Sequence, residues 1–110
     1  NPLHDFTNFK FGYLPTTTAA AQYTNDTNAF RKFQLSFCNV TARAVTISVY
    51  IVPAGGTVGD QWAVKKDVPL AANEEGVESI ERVLESGDSL FLQCSAGSSV
   101  TAFANVELQG

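Results

Sequence analysis

The residues able to do chemistry are few and scattered. Nucleophilic catalysis of the Ser–His–Asp or Cys–His kind needs an imidazole beside a nucleophile. The one histidine, His4, lies in an aromatic N-terminal segment. The two cysteines, Cys38 and Cys94, form no CxxC pair and have only that histidine to join them, so they make no zinc set. Asp60, Asp67 and Asp88 do not have the spacing of a calcium loop. Five carboxylates, Glu74, Glu75, Glu78, Glu81 and Glu85, cluster in the sequence, but glycosidase chemistry needs two of them facing each other across a cleft. Read as a strand, the segment puts Glu78 on the face of Ile80 and Glu81 on the opposite one, so a solvated edge is the expectation.

The glycines of "SVYIVPAGGTVGD", Gly55, Gly56 and Gly59, follow an apolar run, as phosphate-binding loops do. A P-loop also needs a Gly-Lys-Ser/Thr end leading into a helix whose N-terminus meets the phosphate. No lysine stands at that place, and "QWAVKK" is no amphipathic helix of useful length. The loop is therefore expected to turn the chain. No catalytic residue, cofactor or metal is expected, and the chain reads as a non-enzyme.

The elements that would position any site are strands. The 110 residues suit one domain; 45% are hydrophobic and 16% charged, which describes a chain that folds. "FRKFQLSFCNV" alternates, with Phe33, Leu35 and Phe37 on one side. "AVTISVYIV" alternates again, with Val45, Ile47, Val49 and Ile51 inward and Thr46, Ser48 and Tyr50 outward. Pro69 marks "DVPLAA" as an edge strand or an extended link. In "GVESIERVL" the spacing of Val77, Ile80 and Leu84 also fits a helix, but the segment is short and lies between Gly76 and Gly87, so a strand is preferred. "SLFLQCS" and "SVTAFANVEL" close the series, joined by the turn "AGSS". Short strands parted by Gly, Asn, Asp and Ser turns, with no long amphipathic helix, describe an all-β antiparallel β-sandwich or barrel, and a β-sandwich of jelly-roll or immunoglobulin-like type is the expectation.

Residues 1–15 are set apart as an N-terminal arm, and 16–110 as the sandwich. In the arm, Phe9, Phe11 and Tyr13 stand two apart, which suits an extended segment, and Phe6 adds a further ring. So aromatic a stretch must pack, either into a neighbouring subunit as an anchor or onto its own sandwich as a first strand. The residues expected to contact a partner are Phe6, Phe9, Phe11, Tyr13 and, beside the glycine loop, Trp62. Asn25-Asp26-Thr27 and Asn39-Val40-Thr41 fit the N-glycosylation pattern and read equally well as turns. Cys38 and Cys94 are expected as buried free thiols. The net charge is −4 and the seven basic residues are dispersed, so nucleic-acid binding is not expected. No apolar run approaches the ~18 residues of a membrane span, and no signal peptide is visible.

In order along the chain, "LPTTTAAAQYT", "FCNVTARAVTISVYIVPAGGTVGD", "DVPLAANE", "LESGDSL" and "ANVEL" resemble the turn and strand signatures of small β-sandwich virion proteins from tailed-bacteriophage structural modules. The likeness runs from Leu14 to Glu107. "NDTNAF" and the long aromatic N-terminus depart from that pattern. The resemblance implies a structural subunit of a phage particle: a capsid decoration (cement) protein above all, otherwise a neck, tail-fibre or baseplate module. It implies no cofactor. The partners it implies are other virion proteins, the major capsid protein or neck and tail proteins, and further copies of the chain. The location it implies is the virion, assembled in the host cytoplasm. A carbohydrate-binding sandwich is the other reading, with Trp62, Tyr50 and Phe103 offered to sugar rings.

Overall fold

The computed structural model describes the backbone of residues 4–17, 21–25 and 30–109, and their side chains except at 4–9, 30–33, 78–83 and 105–109. Its strands are β1 (His4–Tyr13), β2 (Tyr23–Thr24), β3 (Phe30–Asn39), β4 (Val45–Val52), β5 (Ala63–Leu70), β6 (Glu75–Leu84), β7 (Ser89–Cys94) and β8 (Val100–Gln109). The short 3-10 turn Asp60–Trp62 is the one helical element among the described residues. Two four-stranded antiparallel sheets result, in the orders β1-β8-β3-β6 and β2-β7-β4-β5.

The pairings β1–β8, β2–β7, β3–β6 and β4–β5 nest like the two arms of one long ribbon. Rolled up, that ribbon is a jelly roll, so the expected sandwich is present and its topology is the first of the two named types. "GVESIERVL" is a strand, as preferred, at one edge of the first sheet. Pro69 lies on β5, an edge strand, where its missing N–H costs no ladder bond. The core lies between the sheets: Leu35 and Phe37 from β3, Ile47 and Val49 from β4, Leu92 from β7 and Val100 from β8 are all essentially sealed.

Both ends of β6 are held by the same device. Before it, the turn Ala71–Glu74 closes with Glu74 N–H donating to Ala71 O at 3.0 Å, while the Glu74 carboxylate accepts from Ala71 N–H at 2.7 Å. After it, Asp88 N–H donates to Glu85 O at 3.0 Å and the Asp88 carboxylate accepts from Glu85 N–H at 2.9 Å. The third residue of each turn has positive φ, 56° at Asn73 and 91° at Gly87.

A fully buried asparagine plugs each turn. Asn39 Nδ2 donates to Leu70 O (3.2 Å), Ala71 O (3.1 Å) and Arg43 O (2.6 Å). Asn25 Nδ2 donates to Leu84 O (2.9 Å) and Glu85 O (3.2 Å). Buried carbonyls at these sheet-to-sheet crossings need donors, and the two amides supply them. Both glycosylation-pattern asparagines are thus structural plugs whose amide nitrogens face inward.

Two sequence expectations for β4 need correction. Ser48 and Tyr50, assigned outward, are buried, and Ile51 is only half-buried. The cause is β5, whose pairing with β4 is irregular between Ile47 and Val49 and again between Val49 and Tyr50. Asp67, at φ 50°, gives its N–H to Ser48 Oγ at 3.0 Å, and the Lys66 ammonium sits 5.7 Å from the Tyr50 ring centre. Tyr50 is therefore not free to meet a sugar or a second copy. Cys94 is buried and free. Cys38 is also free, but it is only half-buried, because it stands on the outer face of β3.

Candidate functional site

Residues 4–13, expected as the body of the arm, run along β8 as the edge strand β1, paired from His4↔Gln109 to Tyr13↔Thr101. The backbone thus takes the first-strand alternative. Removing residues 1–13 would leave β8 as an open edge and uncover core beneath Phe11, which packs against it, so a truncation would not isolate a docking role.

A bulge between Lys10 and Gly12 changes the faces. Gly12 takes φ 67°, a conformation open to glycine at little cost. Phe9 stands opposite Ala104, whereas Tyr13 stands opposite Thr101. The period-two face expected for Phe9, Phe11 and Tyr13 is therefore broken: Phe11 is half-buried against the core and Tyr13 is exposed. The side chains of Phe6 and Phe9 lie outside those described; in register, Phe6 stands opposite Glu107.

Across the first sheet the registers align two outward rows. One reads Tyr13, Thr101, Cys38, Glu75; the next reads Lys10, Phe103, Ser36, Val77. Tyr13, Phe103 and Val77 are 57%, 46% and 54% exposed. These three large apolar groups, on β1, β8 and β6, make a band interrupted at β3 by Ser36 and flanked by Lys10 and Glu75. The following row, Asn8, Asn105, Gln34 and Ser79, is polar by residue type. Val77 was not singled out by sequence reasoning, because it was grouped with Ile80 and Leu84. The strand reading already puts Val77 and Ile80 on opposite faces.

The glycine loop turns the chain. Gly56 N–H closes a turn on Pro53 O at 2.9 Å, with Gly55 at φ 79°. Trp62 N–H then bonds Gly59 O at 3.0 Å to open the 3-10 turn, and Ala63 N–H bonds Asp60 O to end it. Trp62 is half-buried, and its indole N–H is buried without a hydrogen-bond partner among the described residues. It lies on the second sheet's side of the molecule and does not join the band on the first. Phe103 belongs to the band and not to a cluster with Trp62 and Tyr50, so the three rings named for sugar binding do not form one platform.

The outer side of the second sheet holds a polar cleft of about 170 Å³ lined by Thr16, Thr46, Ser48, Lys66, Asp67, Gln93, Cys94 and Ser95. The Lys66 ammonium is held by Tyr50 Oη and Asp60 Oδ1, each at 3.2 Å, and its pKa is raised, first by the tyrosine hydroxyl and then by the carboxylate. Gln93 Nε2 donates to Thr16 O at 2.8 Å. Burial pushes the Cys94 thiol's pKa up, and its S–H donates to Ala96 O at 3.0 Å. Among the described residues no three of His, Cys, Asp and Glu are grouped to hold a metal.

No protein-family model matches the sequence, and no curated protein matches it. Among solved structures, a chain in a structure of infectious bursal disease virus, Gx strain, is similar at 13% identity with a TM-score of 0.47. The match covers 97% of the present chain and 33% of that one, so the present chain spans about a third of its length.

Proposed function

We propose that this chain is a non-enzymatic structural subunit of a tailed-phage particle, a capsid decoration protein that binds the shell and stabilises it through repeated β-sandwich contacts. The observation that carries the reading is the band of Tyr13, Phe103 and Val77, exposed on three strands of one sheet face. Exposed apolar side chains set among polar ones on a sheet face suit another protein surface better than a small substrate. The ordered turn signatures from Leu14 to Glu107 support the phage assignment. Jelly rolls serve both as viral capsid domains and as lectins, so the fold alone does not choose between them. Modest contacts made by each copy become strong when copies act together, because linked sites raise effective concentration.

The test is re-binding. Particles of the encoding phage that lack this chain are mixed with the purified protein and sedimented. Saturable co-sedimentation at a fixed ratio to the shell protein is expected. No binding to shell, neck or tail would overturn the reading.

The polar cleft favours the second reading, a carbohydrate-binding sandwich. Its hydroxyl and amide lining at Thr16, Thr46, Ser48 and Gln93 is the kind that pairs with sugar hydroxyls. Saturable binding on a glycan array, lost in Thr46→Val, would select it.

A further inference from the structure

We infer that the outer face of the first sheet is a self-complementary interface that pairs two copies of this chain face to face about a two-fold axis parallel to the strands. This rests on the reading of the exposed band as an assembly surface and adds its occupant and geometry.

The layout of charge points to a second copy. At the β1 side of the face stand Lys10 and Tyr13, basic and aromatic. At the β6 side stand Glu75 and Val77, acidic and aliphatic. All four are exposed. A two-fold axis running between the central strands β8 and β3 lays β1 of each copy over β6 of the other and keeps each row over itself. Tyr13 then meets Glu75 of the second copy, and Lys10 meets Val77 of the second copy.

Successive outward residues on a strand are about 7 Å apart along it, within a lysine's reach. Each Lys10 ammonium can therefore approach Glu75 of the other copy, and symmetry makes the contact twice. Phe103 and Cys38, on the two central strands, fall beside the axis. The next row, Asn8, Asn105, Gln34 and Ser79, is polar by residue type and bounds the patch on that side. A face with one sign of charge would repel its own copy; this face carries opposite signs on opposite sides, which is the arrangement isologous pairing needs.

The test uses the full chain in solution. Light scattering over a dilution series should give a dimer for the native chain. Phe103→Lys should give a monomer with an unchanged circular dichroism spectrum. Lys10→Glu and Glu75→Lys should each weaken the dimer about tenfold or more, since each reversal turns two attractive contacts into repulsive ones. The double variant Lys10→Glu/Glu75→Lys should recover native affinity, a rescue that a general surface effect would not produce. Cys38 should react with a maleimide more slowly in the native chain than in Phe103→Lys, because pairing covers it.

A native chain that stays monomeric at its highest soluble concentration overturns the inference. So does a dimer indifferent to both charge reversals. The particle re-binding experiment is independent: a monomer that saturates particles overturns the pairing and leaves the assembly reading standing, and a dimer that ignores particles does the reverse.

Discussion

Replacing Asn39 with alanine should cost far more than a surface polar residue would. The side chain is fully buried. Its Nδ2 reaches three carbonyls, and its Oδ1 accepts from Thr41 N–H at 3.0 Å and Thr41 Oγ1 at 2.7 Å. Two of the carbonyls keep another donor: Arg43 O has Thr41 Oγ1 at 3.1 Å, and Ala71 O has Glu74 N–H at 3.0 Å. The bond to Leu70 O is the buried one, and losing its donor there costs about 1–3 kcal/mol. The part-buried bonds, which water can replace, add about 1 kcal/mol. The sum is about 3 kcal/mol, or a melting temperature lower by about 12 °C for a chain of this size.

Asn39→Asp sharpens the test. It keeps the size and the Oδ1 acceptor but turns an anionic oxygen toward carbonyl oxygens. Its native pKa must therefore rise above the ordinary aspartate value. A carboxyl whose pKa is raised by folding holds its proton in the native state at pH values where the unfolded chain has lost it. Stability relative to the parent chain is then greatest below the unfolded pKa and falls as pH rises through the native one. Urea melts of both variants from acid to neutral pH read this directly. An alanine variant within about 1 kcal/mol of the parent, or an aspartate variant with the parent's pH profile, would refute the plug.

The glycine positions separate backbone strain from steric clash. At Gly87, φ is 91° and an added Cβ would come within 2.7 Å of Ala54 Cβ, while Gly55 has φ 79° and open space. Gly55→Ala should cost about 1–2 kcal/mol for the left-handed backbone alone, and Gly87→Ala should cost measurably more in the same urea melt. The thiols should differ in rate. Cys38, half-buried on an outer sheet face, should react with a thiol reagent in the folded Phe103→Lys chain, and Cys94, buried with its pKa raised by desolvation, should react only once the chain unfolds. Two equally fast thiols would contradict the burial.

Strand identity was legible because alternation survives in β3, β4, β7 and β8 and because Gly, Asn and Asp mark the turns. What the sequence hid were events that alternation cannot encode. The bulge at Phe11 and Gly12 moves Tyr13 to the other face, and nothing in "FKFGY" apart from its glycine announces that. The irregular pairing of β5 on β4 buries Ser48 and Tyr50, though both sit at outward positions by count. Asn25 and Asn39 looked like ordinary turn residues, since their role depends on carbonyls 31 to 60 residues away. The apolar band is a property of register across four strands, and register is fixed by the whole sheet. Phe103 and Val77 are 26 residues apart in the chain and become members of one row only through Ser36 between them.

The edges of the sheets explain why association would use a face. An open edge strand is a template for further pairing, and proteins blunt it with proline, charge or bulges. In the second sheet, β2 is only two residues long, and β5 carries Lys65, Lys66, Asp67 and Pro69 with a broken register. In the first sheet, β1 is bulged beside Lys10, and β6 carries Glu75, Glu78 and Glu81. Each edge thus has a feature that opposes sheet extension. The outer face of β1-β8-β3-β6 has the opposite character, with Tyr13, Phe103 and Val77 exposed and both ends of β6 tied by the Asn39 and Asn25 plugs. With lateral growth discouraged and Tyr13, Phe103 and Val77 left open, association would use that face, and its layout of Lys10 against Glu75 would set the orientation of the proposed pair.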